Sequence, residues 1–314
     1  LYFLKLYSTS LLSPIVVIVT RSRKMKTRNQ NNAFEILESR TLMSAVAVPH
    51  VQAAVKKAPA IAAPLRHIAS TTLKADPAVT DKSITYQNFS NDPLFASNGP
   101  TISDINQGDL GDCYLLSTLS SVVKTDPALI KKDIVADGGG IYTVTLGSGK
   151  GTQININANL PVFSDGSLAY AKLGNQNSLW VALYEKAFAQ YQNTKANSYA
   201  TINGGWMSEA FSALGLKSQT LFSSTSATTL ATTLATDLKA GDFTTFGTVS
   251  TLAASSPLIA GHAYEVNSVQ TDATGNTTVT LRNPWGKGAA NDGMVTVSAQ
   301  QLYTAFAGAV TAHA

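Results

Sequence analysis

With 314 residues and 44% hydrophobic side chains, the chain can form one large domain or two modest ones with a substantial core. Its single cysteine, Cys113, excludes an intrachain disulfide and any zinc site built from several cysteines. The formal charge of +4 divides into +9 over residues 1–74 and −5 over residues 75–314. The basic character therefore belongs to the N-terminal segment, which argues against a nucleic-acid-binding domain with a basic folded face.

The chain begins at Leu1, and residues 11–20 form an apolar run too short to span a membrane. Its basic cluster follows it, whereas a signal peptide carries its charges in front, so translation is expected to start at Met25. Residues 34–45, Phe34-Glu35-Ile36-Leu37-Glu38-Ser39-Arg40-Thr41-Leu42-Met43-Ser44-Ala45, resemble the short LEPR-XLL signature of large bacterial surface proteins. Ile36 and Ser39 stand where that signature has Pro, and the resemblance implies export within a possible signature spanning 25–45. Residues 46–80 are rich in Ala, Val, Pro and Lys without periodicity and read as a linker. The expectation is a disordered, basic segment over residues 1–84, with removal of residues 1–80 leaving stability unchanged.

From Cys113 the apolar residues Leu116, Leu119, Val122 and Val123 recur at helical spacing, placing the thiol in a first helical turn. There the helix dipole and unpaired N–H groups favour the thiolate. Ile141, Val144 and Leu146, then Ile154, Ile156 and Leu160, flank a Gly-rich turn and predict a hairpin. Leu179 to Tyr191 predicts an amphipathic helix, and Met207 to Leu214 a shorter one. Leu230, Leu234 and Leu238 repeat every four residues and predict a surface helix. Strands follow over 243–250, 262–270, 277–283 and 294–297, then a terminal helix. The pattern is α+β: a helical lobe over residues 85–220 carrying Cys113, and a mainly antiparallel lobe over residues 221–310.

His50 and His67 lie in the linker and His313 is penultimate, so His262 alone lies inside a patterned region, at the start of a strand. Asn283 ends the next strand, and neighbouring strands run about 4.8 Å apart, so the amide can reach the imidazole. A thiolate, a His that accepts and returns its proton, and a group that orients the imidazole are the parts of a cysteine protease. The order Cys, His, Asn over a long separation fits a papain-like arrangement.

Several motifs then coincide in order: Gln107-Gly108-Asp109-Leu110-Gly111-Asp112-Cys113, Leu160-Pro161 through Asp165-Gly166-Ser167-Leu168, Leu179-Trp180 through Glu185-Lys186-Ala187, Gly204-Gly205, Gly261-His262-Ala263-Tyr264 and Asn283-Pro284-Trp285-Gly286. Over residues 85–310 the chain resembles the catalytic core of the calpain-type cysteine proteases. The resemblance implies a papain-like fold of two lobes facing a cleft, and a Cys113-His262-Asn283 triad hydrolysing peptide bonds. It also implies that the Gln107 side-chain amide and the Cys113 backbone N–H bind the oxyanion, and that Trp285 shields the His–Asn pair.

Two departures from the family stand out. Tyr114 replaces the usual Trp after the cysteine. Of the acidic calcium ligands in the animal enzymes, Asp104 remains, while Ala200 and Lys287-Gly288-Ala289 occupy positions that should supply carboxylates. Calcium needs six or more oxygen ligands, so the expectation is an endopeptidase that requires no cofactor. Its expected partners are protein or peptide substrates, without nucleic acid or a membrane span, and it is expected to be a monomer. A catalytically silent peptide-binding module and a cysteine acyltransferase remain as alternatives.

Overall fold

The computed structural model describes residues 73–79, 81–192 and 196–313. Residues 25–45, with the surface-protein signature, lie outside them. Among the described residues no helix is long and apolar enough to cross a membrane.

The first lobe opens with strand β1 (Thr85–Asn88), followed by helices α1 (Cys113–Thr125) and α2 (Pro127–Asp133). Pro127 opens α2 with its φ already set, and the Asp126 carboxylate accepts the Ala128 N–H, which together separate α2 from α1. Strands β2 (Ile134–Gly138), β3 (Ile141–Leu146) and β4 (Thr152–Asn157) form an antiparallel sheet whose β3–β4 hairpin is the one the alternation predicts. Strand β5 (Asn159–Val162) pairs with β1, and helices α3 (Trp180–Tyr191) and α4 (Met207–Ala213) complete the lobe.

The second lobe is built on an antiparallel sheet. In chain order its elements are β6 (Ser218–Leu221), α5 (Ala227–Ala240), β7 (Phe243–Thr248), β8 (Ala263–Thr271), β9 (Thr277–Arg282), β10 (Met294–Ser298), α6 (Ala299–Ala305) and β11 (Phe306–Ala312). The strands are ordered β10-β9-β8-β7-β11-β6. Leu230 and Leu234 of α5 and Leu302 of α6 pack with Phe246, Tyr264, Val266, Val279 and Leu281 on one side. Phe243, Ala263 and Val310 instead join the core that contains α1. Leu115, Leu116, Leu119 and Val122 of α1 are fully buried, each contributing about 1.5–3 kcal/mol, so the register of α1 at Cys113 is strongly fixed.

Three expectations need correction. The chain returns after α6 as β11, inserted between β7 and β6, so the second lobe's sheet already includes Ser218–Leu221 and the 220/221 boundary cuts a strand. Helix α3 is buried all round from Trp180 to Gln190 rather than amphipathic. Packed structure also begins before residue 85: Asp76 pairs with the fully buried Lys186, and Ala75 and Ala78 hydrogen-bond to Gln190, Asn197 and Tyr199. A buried ammonium requires a counter-charge, and Asp76 supplies it from a segment whose composition reads as linker.

Candidate active site

Cys113 is the first residue of α1, and the Asp112 carbonyl accepts the Leu115 and Leu116 N–H groups. The loop in front runs so close to the next segment that a Cβ on Gly108 would stand 2.1 Å from the Tyr170 carbonyl oxygen. Only glycine fits there. Tyr114 closes the opposite wall: its hydroxyl donates to the Ile202 carbonyl at 3.3 Å, and a Cβ on Gly205 would meet its ring at 2.4 Å. Gly204 donates to the Gly111 carbonyl at 2.8 Å, so the Gly-Gly segment lies along the cysteine loop.

From the other lobe, β8 and β9 pair with Glu265 opposite Arg282, which brings the residue before β8 beside the residues after β9. His262 is clamped to β7 by its N–H to Thr248 Oγ1 and by its carbonyl, which accepts the Thr248 N–H, both at 2.9 Å. Its Nε2 lies 2.9 Å from Asn283 Oδ1, which also accepts the Trp285 N–H at 3.0 Å. That second donor fixes the amide with its oxygen toward the ring. Nε2 therefore carries the hydrogen, and Nδ1 holds the lone pair. The Trp285 ring lies 5.3 Å from the imidazole centroid and that of Tyr264 5.0 Å, so the His–Asn bond is flanked by aromatic rings, although Trp285 remains 39% exposed.

The lobes meet at the thiol. The backbone of Ala263, the residue after His262, acts on the Cys113 thiol and favours its ionised form. Burial pushes its pKa above the usual thiol value and outweighs the helix terminus, while nearby Asp112 adds to the rise. The Tyr114 and Cys113 backbone groups favour the thiolate as the helix start predicts, and desolvation opposes them. Burial likewise lowers the His262 pKa, opposed by its bond with Asn283. Both directions favour a neutral thiol beside a neutral imidazole.

Gln107 is tied across the lobes by its N–H to the Pro284 carbonyl at 2.9 Å. Its side-chain Nε2 donates to the Leu110 carbonyl at 2.6 Å and reaches Asp112 Oδ1 at 3.3 Å. Both amide hydrogens are therefore directed into the loop. A cleft of about 320 Å³ beside Gln107 and Trp285 is lined also by Asn106, Lys172, Leu173 and Lys287.

The positions expected to hold calcium do not suit it. Both Asp104 oxygens are used: Oδ1 accepts the Asn175 N–H at 2.7 Å, and Oδ2 accepts the Thr101 N–H at 2.7 Å and Trp180 Nε1–H at 3.0 Å. Ala200 and Ala289 offer no side-chain oxygen, and Lys287 places its ammonium 2.9 Å from Asn175 Oδ1. Among the described residues no cluster of three or more His, Cys, Asp or Glu could hold a metal ion.

Residues 80–299 match the family described as calpain family cysteine protease. This chain belongs to that family. It is 30% identical over 208 residues to the calpain-type cysteine protease DEK1 of Arabidopsis thaliana, an alignment covering 62% of this chain and 9% of that protein. It is similar to the calpain-1 catalytic subunit of Sus scrofa, 30% identical over 227 residues, covering 65% of this chain and 31% of that subunit. It is also similar to calpain-9 of Homo sapiens, 31% identical over 211 residues, covering 62% and 30%. The chain thus spans less than a third of each of these relatives.

Two buried residues of the first lobe escaped the sequence reading as individuals. Glu185 and Lys186 sit side by side on α3 inside the fold, and their only sequence signal was the Leu179–Ala187 motif on a helix read as amphipathic. Glu185 lies against Asp112, and Lys186 holds the Asp76 segment.

Proposed function

We propose that this calpain-family chain is a cysteine endopeptidase in which Cys113 attacks the peptide carbonyl carbon. The observation that carries the reading is the Asn283 oxygen shared between His262 Nε2 and the Trp285 N–H. It leaves Nδ1 as the basic nitrogen of a ring one residue from Ala263, whose backbone favours the ionised thiol. Nδ1 takes the thiol proton as sulfur bonds to carbon, and the carbonyl π pair moves onto oxygen. The resulting imidazolium stabilises the thiolate that burial alone opposes. Nδ1–H then protonates the leaving amine as the C–N bond breaks; water attacks the thioester with Nδ1 again as base, the C–S bond breaks to release the acid, and the proton on Nδ1 returns to the Cys113 sulfur. The Cys113 N–H, unpaired at the helix start, is one oxyanion donor, and the Gln107 amide is the other once a hydrogen turns from Asp112. Trp285 limits water at the His–Asn bond. Export to the cell surface, suggested by residues 34–45, belongs to the same proposal.

The test is titration with a thiol-reactive peptidyl epoxide and mass mapping of the adduct, alongside hydrolysis of an unfolded protein substrate. A stoichiometric adduct on Cys113 and complete loss of hydrolysis in Cys113→Ala are expected. Hydrolysis that survives in a correctly folded Cys113→Ala would overturn the reading, as would wild-type protein that neither hydrolyses nor reacts.

A further inference from the structure

Directly beneath the cysteine loop, two carboxyl groups are buried against each other. Asp112, just before α1, is 0% exposed and Glu185, in the middle of α3, is 1% exposed. Each acts directly on the ionisation of the other. The Glu185 oxygens accept the Ala171 N–H at 3.1 and 3.2 Å. Asp112 Oδ1 lies 3.3 Å from Gln107 Nε2, while Asp112 Oδ2 and Gln107 Oε1 are both buried without a donor. Among the described residues neither carboxyl forms a salt bridge.

Two dry carboxylates in contact repel, and each lacks the water that would stabilise its charge. One proton between them turns repulsion into a hydrogen bond and gives Asp112 Oδ2 the donor it lacks. We infer that Asp112 and Glu185 act together as positioning residues for Gln107: its amide hydrogen is free for the oxyanion while both carboxyls are protonated, and is held back once Asp112 ionises and the one remaining proton is shared.

The geometry explains the coupling. Gln107 Nε2 has two hydrogens, one held by Leu110 at 2.6 Å and the other facing Asp112 at the looser 3.3 Å. A charged Asp112 competes with the oxyanion for that second hydrogen. It also places negative charge beside the two anions of the reaction, the thiolate and the tetrahedral oxygen, and its effect on Cys113 is already to disfavour the thiolate. An uncharged pair lifts both penalties. The titratable groups around the pair are Cys113 and Tyr114 beside Asp112, and Lys172, Tyr86 and Tyr199 toward Glu185, of which only Lys172 favours ionisation. Burial raises Asp112 to about 7 and Glu185 well above its ordinary value, which leaves the proton on Glu185 as Asp112 ionises.

The inference rests on the peptidase reading, so its test includes a measurement that needs no turnover. Wild type should show an alkaline fall in kcat, with KM steady, centred near the Asp112 ionisation at about 7. The fall should be about ten-fold or more, within the range for losing one oxyanion donor. Asp112→Asn, permanently uncharged, should abolish that fall. Glu185→Gln replaces a carboxylic acid donor with a weaker amide donor, and the interaction with Glu185 lowers the Asp112 pKa, so the fall should move to higher pH. A role confined to packing would not shift the two variants differently. Independently, infrared spectra should contain a buried protonated carboxyl band that persists at pH 8 in wild type and disappears in Glu185→Gln. Absence of that band overturns the shared proton whether or not the chain is active. Coincident pH profiles in all three proteins overturn the coupling to Gln107.

Discussion

Truncation at residue 81 removes a counter-charge from the interior. Lys186 has no exposed side-chain surface and its ammonium contacts Asp76 Oδ1 at 2.6 Å, while Asp76 is 21% exposed. Losing one partner of a fully buried pair costs about 3–5 kcal/mol. Two features lower that here: the partial exposure of Asp76, and the remaining acceptors Asn157 Oδ1 at 2.6 Å, Asn159 O at 2.8 Å and Asn157 O at 3.1 Å. About 1–3 kcal/mol is therefore reasonable for the ion pair. The Ala75 carbonyl, which accepts from Gln190 at 3.1 Å and Asn197 at 2.8 Å, and the Ala78 backbone bonds go with it, bringing the loss to about 2–4 kcal/mol. At roughly 2–4 °C per kcal/mol for a domain of this size, the melting temperature should fall by about 5–15 °C. Thermal melts of full-length protein, residues 73–314, residues 81–314 and full-length Asp76→Asn decide the matter. The 73–314 chain retains every contact counted, and Asp76→Asn should reproduce the ion-pair share. If residues 81–314 melted within about 2 °C of residues 73–314, the segment would be lying on the surface without supporting Lys186.

Gln107→Ala should lower kcat on the order of 100-fold with little change in KM, measured on a peptide substrate; a loss confined to KM would make Gln107 a loop-shaping residue. Asp112 has a folded pKa near 7 against an ordinary 3.8, so its contribution is fully present below about pH 3.8 and lost as pH rises through 7. Chemical denaturation of Asp112→Asn against wild type should accordingly show little difference near pH 4 and a relative gain for the variant at pH 8; a constant difference would remove the titration from the account. Activity and melting temperature should be equal in excess chelator and in millimolar calcium, since Asp104 is committed to Thr101, Asn175 and Trp180; ten-fold activation by calcium would show that other oxygens build a site.

Much of the fold follows from local patterns. Helix α1, the β3–β4 hairpin and strands β7 to β10 carry clear apolar periodicity, and each forms where its period places it. Strand β11 could not be read that way. Phe306–Ala312 consists mostly of small residues, and it becomes a strand because β7 and β6, far earlier in the chain, present open edges on either side of it. Helix α3 misleads for a related reason: Glu185 and Lys186 look like an exposed polar pair, but their partners Asp112 and Asp76 come from distant segments and allow both to be buried. At the candidate site, residue types and order predict that His262 and Asn283 meet, and they do so at 2.9 Å. The direction of the thiol's pKa was not legible, because it depends on how closely the second lobe closes over Cys113.

That closure is built from the protein's own bonds. The Asn283–Trp285 turn is fastened directly to the cysteine loop: Gln107 donates to the Pro284 carbonyl at 2.9 Å, and the Lys287 N–H reaches Asn106 Oδ1 at 2.7 Å. Asn106 is itself held through Nδ2 to the Asp104 carbonyl at 3.2 Å, so Asp104, Asn106 and Lys287 form one continuous tie between the lobes. Farther back, Lys124 of α1 pairs with Glu265 of β8 at 2.8 Å, and Arg282 of β9 reaches the Ile105 carbonyl at 3.4 Å. The two positions where resemblance placed calcium ligands, Asp104 and the segment after Trp285, are thus the two ends of a direct hydrogen-bonded link. Their oxygens and amides are taken up by that link. Returning a carboxylate at 287 would not by itself make a metal site, because Asp104 would still have to release Trp180, Thr101 and Asn175 from the interior.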